Sequence, residues 1–151
     1  MIRDATAADL PALMALERAA FAADAQTARS MRWLVDRANS RFRVIEAPGG
    51  VGALSGYCVL LFRRGSRVAR LYSIAVDSAA RGQGIGARLV ADALASATKR
   101  GDTVMRAEAR MSNRSSRGLF AAAGFVETER LVDYYPGPED GIRLKKQLER
   151  D

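Results

Sequence analysis

Six residues, Arg81-Gly82-Gln83-Gly84-Ile85-Gly86, lie between an apolar run ending at Val76 and a stretch with helical periodicity. Strand, glycines and helix start in that order gather backbone N–H groups at the positive end of a helix. Roughly half a unit charge awaits an anion there before any side chain contributes. Glycines let the backbone close on such an anion, because a Cβ would hold it off. The chain has no histidine and one cysteine, Cys58. A Ser-His-Asp or Cys-His nucleophile is thereby excluded, and no metal site of the zinc type is expected. Proton transfer must rest on Asp, Glu, Tyr, Lys or the Cys58 thiol.

Three readings compete for the glycine turn. A Walker A loop needs Lys-Ser or Lys-Thr after its last glycine; Ala87-Arg88 stands there, and that reading fails. A dinucleotide fingerprint fits loosely, with Gly82, Gly84 and Ala87 as G-x-G-x-x-A and Glu108 at the end of the next strand. Against it, Asp77 to Arg81 separate the strand from Gly82 where a tight turn is required. The third reading is a turn that holds no ligand.

The elements that must position this turn follow from periodicity. At 151 residues, with 48% apolar and 27% charged, the chain has the size and composition of one globular domain. Thr6 and Asp9 form a capping-box pattern before a helix carrying Leu10, Leu13, Met14 and Phe21. A second helix is predicted over 28–38, and strands over 41–47, 54–62 and 68–76, the first broken by Pro48-Gly49-Gly50. The third is apolar on both faces towards its end, as a central strand is. Ile85, Leu89, Val90, Ala93, Leu94 and Ala97 recur at helical spacing up to Arg100, where Gly101 ends the helix. A strand over 103–109 follows, then a short helix within 113–125 that Asn113 can cap. Strands over 125–132 and 142–148 are separated by "DYYPGPEDG".

The start of the chain has no continuous apolar segment of the secretory type, and the longest apolar run, 57–62, is far short of a membrane span. One unpaired cysteine fits a reducing cytoplasm. The net charge of +7 raises nucleic acid as a partner, but the arginines are scattered and only "RRGSRVAR" (63–70) is dense. A solvated basic surface is the expectation, with neither nucleic acid nor membrane as partner.

The loop at 81–86 resembles the (Gln/Arg)-x-x-Gly-x-(Gly/Ala) loop of the GNAT acetyltransferase superfamily. The likeness extends through "SIAV" (73–76), "NRSSRGLFAAAGF" (113–125) and the order of elements over nearly the whole chain. Within the superfamily, "IAVD", "EAR", "N…LF…GF" and "DYYP" are most similar to the bacterial ribosomal-protein N-terminal (alanine) acetyltransferases. The resemblance implies a single α/β domain over residues 1–151, with a mixed central sheet of six to seven strands flanked by about four helices. It implies acetyl-CoA as cosubstrate and transfer of its acetyl group to a primary amine. The acceptor is expected to be the N-terminal α-amine of a peptide or protein, with a small-molecule amine as the alternative. From another class, a CoA-binding sensor that has lost catalysis stays open. A monomer or homodimer is expected.

The resemblance also distributes roles. The backbone of Ile74, Ala75 and Val76 faces the pantetheine arm, with a free N–H near Val76 for the thioester oxygen. Arg81, Gly82, Gln83, Gly84, Ile85 and Gly86 take the pyrophosphate. Asn113 contacts the arm, unless helix capping is its whole role. Glu108 matches the family's base; the alternative is a solvated strand-end carboxylate. Phe120 departs from the family pattern, which has a tyrosine there beside the sulfur as proton donor to the thiolate. A thiol pKa of ~8.5 lies below the ~10 of tyrosine, so that transfer is uphill in any case. Water, Tyr134 or Tyr135 are the substitutes.

Overall fold

The computed structural model describes residues 1–49 and 52–149. Its strands are β1 (Ile2–Asp4), β2 (Ser40–Glu46), β3 (Leu54–Phe62), β4 (Val68–Val76), β5 (Val104–Arg110), β6 (Val126–Tyr135) and β7 (Glu139–Gln147). They form one mixed sheet in the order β1-β2-β3-β4-β5-β7-β6, with only the central β4–β5 pair parallel. The helices are α1 (Leu10–Phe21), α2 (Ala28–Asp36), α3 (Ile85–Arg100) and α4 (Arg114–Ala122). The break read at Pro48-Gly49-Gly50 lies partly outside the described residues. No helix among them is long and apolar enough to cross a membrane.

Strand alternation places one apolar core on each face of the sheet. Along β3, Tyr57 and Val59 meet Leu13, Met31 and Leu34 of α1 and α2, while Cys58 and Leu60 meet Leu89, Val90 and Ala93 of α3. Both faces of this strand are covered, which is why it reads as a continuous apolar run. Each fully buried leucine contributes about 1.5–3 kcal/mol towards holding its helix down. At the start of α1, the Thr6 N–H donates to Asp9 (2.8 Å) and Arg3 grips the same carboxylate with two N–H groups (2.8 and 2.9 Å). The Arg3 guanidinium holds the Asp9 carboxyl below the usual carboxylate range. The predicted capping pair is therefore real, although it opens a short 3-10 turn, Ala7–Asp9, before the α-helix begins.

The elements depart from expectation at an added strand and a loop that is mostly strand, and α2 ends at Asp36, two residues early. β1 escapes periodicity because three residues carry no pattern. "DYYPGPEDG" is mostly strand rather than a separating loop: β6 runs to Tyr135, and β7 begins at Glu139. An irregularity between Leu131 and Tyr135 makes this possible. Asp133 takes a left-handed φ of 51°, and its N–H donates to the Asp140 carboxylate (2.9 Å).

The feature that shapes the molecule lies at the centre of the sheet. β4 and β5 pair only from Val68↔Val104 to Leu71↔Ala107. Beyond that point β4 continues against β3 alone, and β5 continues against β7. Tyr72 is an extra residue in the β3–β4 ladder, between the pairs Leu71↔Leu60 and Ser73↔Val59. A bulge of this kind bends its strand, here where the two central strands part. The Asp77 N–H donates to Ser55 O (2.8 Å). Antiparallel alternation then makes Tyr57–Ala75 and Val59–Ser73 the hydrogen-bonded pairs, so Ile74 and Val76 turn their N–H and C=O groups to the open side.

Gly56 sits opposite Val76 under α3. A Cβ there would lie 2.7 Å from Ala75 O and 3.1 Å from a Leu89 methyl. Backbone cannot yield as a side-chain tip can, so Gly56→Ala should cost about 1–3 kcal/mol of overpacking. The check is chemical denaturation, with a lower midpoint at unchanged slope.

Candidate active site

Two clefts open from the gap between β4 and β5. One, of about 710 Å³, is lined by Ile74, Ala75 and Val76, the loop residues Arg81, Gly82, Gly84, Ile85 and Gly86, and Asn113 with Ser116 at the start of α4. The other, of about 550 Å³, is lined by Glu17, Arg70, Tyr72, Ser73, Glu108, Phe120, Tyr134 and Tyr135. Ile74, Arg110, Asn113 and Ser116 border both. A molecule lying across this shared border reaches from the glycine loop to Glu108.

The first cleft is rich in unused donors. Gly84 stands at the N-cap of α3 with φ 74° and no side chain to cap it, leaving the amides of the first turn free. Gly82 has φ 79°, and nothing lies within 4 Å of where a Cβ would sit on either glycine. Gly86 has a different reason: a Cβ there would lie 3.2 Å from Leu119, so its absence lets α4 approach α3. Gln83 is exposed and lines neither cleft. Asn113 does cap α4, its Oδ1 accepting from the Ser116 N–H (3.0 Å), and this leaves its amide nitrogen unspent.

In the second cleft the decisive group is Glu108. Its side chain is 4% exposed, so the alternative of a solvated strand-end carboxylate does not hold. Arg70 Nη2 lies 3.4 Å and Arg143 Nη2 3.9 Å from Oε1, yet neither oxygen has a hydrogen-bond donor among the described residues. A buried carboxylate without donors is costly, and it is an acceptor in want of a proton or an N–H.

Around it stand residues that sequence reasoning passed over. Tyr57 donates its OH to Glu17, lies 3.1 Å from Ser73 Oγ, and is pushed far above the usual tyrosine range by burial and then by Glu17. The Gln26 N–H donates to the other Glu17 oxygen (3.0 Å), tying the α1–α2 turn to the cleft floor. Arg110 pairs with Asp24 of that turn and with Glu139 of β7 (2.9 Å), joining both rims. Glu17 had a signal: a lone carboxylate on the stripe Leu13, Leu16, Phe21. Arg70 and Arg143 had none, because strand residues reveal their partners only once the register is known.

The remaining candidates separate clearly. Cys58 is buried beneath α3 and burial pushes its thiol up, which removes it as an acid or base. Phe120 is under 2% exposed, packs on Phe125 at 5.2 Å and borders the second cleft rather than the glycine-loop cleft. Tyr134 is 44% exposed and meets Tyr135 edge-on at 5.0 Å. Burial, with Tyr134 and Glu108 adding, pushes the Tyr135 hydroxyl up to about 12.

A helix–sheet–helix sandwich whose parallel central pair parts over a donor-rich glycine turn, with a buried carboxylate across the gap, is a scaffold for group transfer from a phosphate-bearing donor. The acetyltransferase (GNAT) family profile matches residues 10–125, and the chain belongs to that family. The fold of that family uses acetyl-CoA. The chain is 35% identical to the N-alpha-acetyltransferase 30 of Xenopus laevis over 88 residues, 58% of this chain and 31% of that protein. It spans about a third or less of the curated relatives it matches. It superposes on the ribosomal-protein-S18-alanine N-acetyltransferase of Escherichia coli with TM-score 0.88 at 24% identity, covering 100% of this chain and 95% of that one. With the ribosomal-protein-alanine N-acetyltransferase of Brucella melitensis the TM-score is 0.81 at 29% identity, over 98% and 99% of the two chains.

Phe120 generates a test of its own. Because it borders the cleft as well as Phe125, Phe120→Tyr should keep the melting temperature within about 2 °C and leave acetyl-transfer turnover equal or raised. Loss of both would place the para carbon in the dry core rather than at the cleft.

Proposed function

We propose that residues 1–151 form one catalytic unit that transfers the acetyl group of acetyl-CoA to the N-terminal α-amine of a peptide or protein. The observation that carries this reading is the buried Glu108 carboxylate, without a hydrogen-bond donor among the described residues and lining one cleft with Ile74 of β4. The residues present fit the cosubstrate: an open glycine cradle, an uncapped helix start and two unpaired strand amides all await acceptors. Arg81, Gly82, Gly84, Ile85 and Gly86 hold the pyrophosphate, and Ile74, Val76 and the Asn113 amide nitrogen hold the pantetheine arm; Ala75 lines the same cleft, but its backbone is spent on Tyr57 and does not face the arm as expected. Gln83 contributes at most its backbone.

Acetyl-CoA supplies an acetyl thioester, whose C–S bond breaks as the amine nitrogen bonds to the carbonyl carbon. Glu108 receives the proton that the acceptor amine must lose. The Ile74 and Val76 N–H groups are the donors available to the charge that develops on the carbonyl oxygen. The departing sulfur takes its proton from water or Tyr134. Tyr135, pushed up to about 12, is a weaker acid than the ~8.5 thiol and serves as a hydrogen-bond donor.

Acid–base arithmetic favours the α-amine over lysine. With a pKa of ~7.8 roughly 10% of it is neutral at pH 7, against about 0.04% for lysine at ~10.4. Both clefts are lined within one chain, so monomer or homodimer serves equally. A reducing cytoplasm is the proposed location, in keeping with one buried, unpaired thiol. The sensor reading rests on Phe120, which has no proton to give.

Glu108→Gln should lower kcat by about 10²–10⁴ at neutral pH with acetyl-CoA affinity nearly intact, measured by thiol release and by titration. Wild-type turnover in that variant would put the base elsewhere. The acceptor is tested on peptides with free or blocked N-termini, read by mass spectrometry. Faster modification of blocked lysine peptides or of polyamines than of free N-termini would overturn the assignment.

A further inference from the structure

The face of the sheet that α1 and α2 cover at β2, β3 and β4 continues past them over β5, β7 and β6. Register places two unlike rows on this continuation. In one, Glu108, Arg143 and Glu129 stand opposite one another and alternate in sign, with Arg143 Nη1 2.8 Å from Glu129. In the row beside it, Arg70 is opposite Arg106 and Arg106 is opposite Lys145: three cations in register on adjacent strands. Like charges directly opposed across strands destabilise a sheet. Among the described residues Arg106 and Lys145 have no ion-pair partner, and Arg70 has only the shared Glu108. Arg70 Nε and Arg143 Nε are also buried without acceptors. This face is short of anions by its own accounting.

The row begins at the acceptor cleft, since Arg70 lines it and Arg106 is two residues from Glu108. Two residues of strand span about 7 Å, so an extended polypeptide whose first nitrogen is at Glu108 crosses the row with roughly its third to fifth residues. We propose that this cation row receives acidic side chains of the acceptor, so that the enzyme selects polypeptides whose N-terminus is followed closely by Asp or Glu. The inference rests on the acceptor being a polypeptide N-terminus. A polypeptide suits the face better than a nucleic acid does. The row is flanked by Glu108, Arg143 and Glu129 on one side and by Val68 and Val104 on the other, an alternation of carboxylate, cation and apolar side chains that suits mixed side chains better than a continuous phosphate backbone.

The experiment uses two fluorescent peptides with free N-termini and identical first two residues, one bearing Asp and Glu at positions three to five and the other Asn and Gln. Binding is read by anisotropy and turnover by thiol release, on the wild type, the Arg106→Gln/Lys145→Gln double variant and Lys145→Glu. Wild type should bind the acidic peptide about three- to tenfold more tightly, with the gain lost in 0.5 M salt. The double variant should lose that preference through KM while keeping kcat on the neutral peptide, and Lys145→Glu, which leaves the row with the same net charge, should lose it as well. Equal binding of the two peptides by the wild type would overturn the proposal. So would an acidic preference that survives in both variants, or displacement of the acidic peptide by an RNA oligonucleotide at lower concentration than by unlabelled acidic peptide. Failure of turnover with every peptide would strike the acetyl-acceptor reading, while the binding arm still decides the cation row.

Discussion

Everything in this fold depends on one pair of strands failing to stay together. β4 and β5 are bonded up to Leu71 and Ala107 and part beyond. A sheet in water is stabilised by closing its ladders, and unpaired backbone groups away from solvent are costly. The chain opens this ladder at its centre and closes the others around it. β3 holds β4, β7 holds β5, and the bulge at Tyr72 lets β4 turn without losing β3. What remains is a wedge of unspent Ile74 and Val76 amides. The start of α3 lies on one side of it and Glu108 on the other.

Glu108 shows how electrostatics and packing meet at that wedge. Left alone, a carboxylate shielded to this degree would cost more than the fold gains by hiding it. Arg70 and Arg143 stand within ion-pair range but make no hydrogen bond to it, so the attraction is retained while the oxygens stay available. Glu17, by contrast, has a donor on each oxygen, from Tyr57 and Gln26, and those bonds hold it as a structural tie. The two carboxylates line one cleft: Glu17 is held by hydrogen-bond donors, and Glu108 by the longer-range attraction of two arginines.

The sequence made the glycine turn, the helix it opens and the central position of β4 legible, because φ-positive glycines and unbroken apolar runs leave local marks. Glu108 was legible as a position, at the end of a strand in a chain without histidine. Its burial was not. That depends on Arg70 and Arg143, each more than thirty residues away, brought in by register. β1 and the long β6 were hidden for the opposite reason. Three residues carry no period, and an aspartate in left-handed backbone looks like a turn until its N–H is seen on Asp140. Gly86 has a second reason that the sequence does not show, the approach of Leu119 from another helix.

If the open edge of β4 seats the acetyl donor, its free amides must change when that donor binds. Amide hydrogen exchange, resolved by residue with and without acetyl-CoA, reads that change. Ile74 and Val76 should exchange faster than Ser73 and Ala75 in the free protein and become protected on adding acetyl-CoA, while Ser73 and Ala75 change little. Protection unchanged at Ile74 and Val76 under saturating acetyl-CoA, or equal at all four residues, would contradict it.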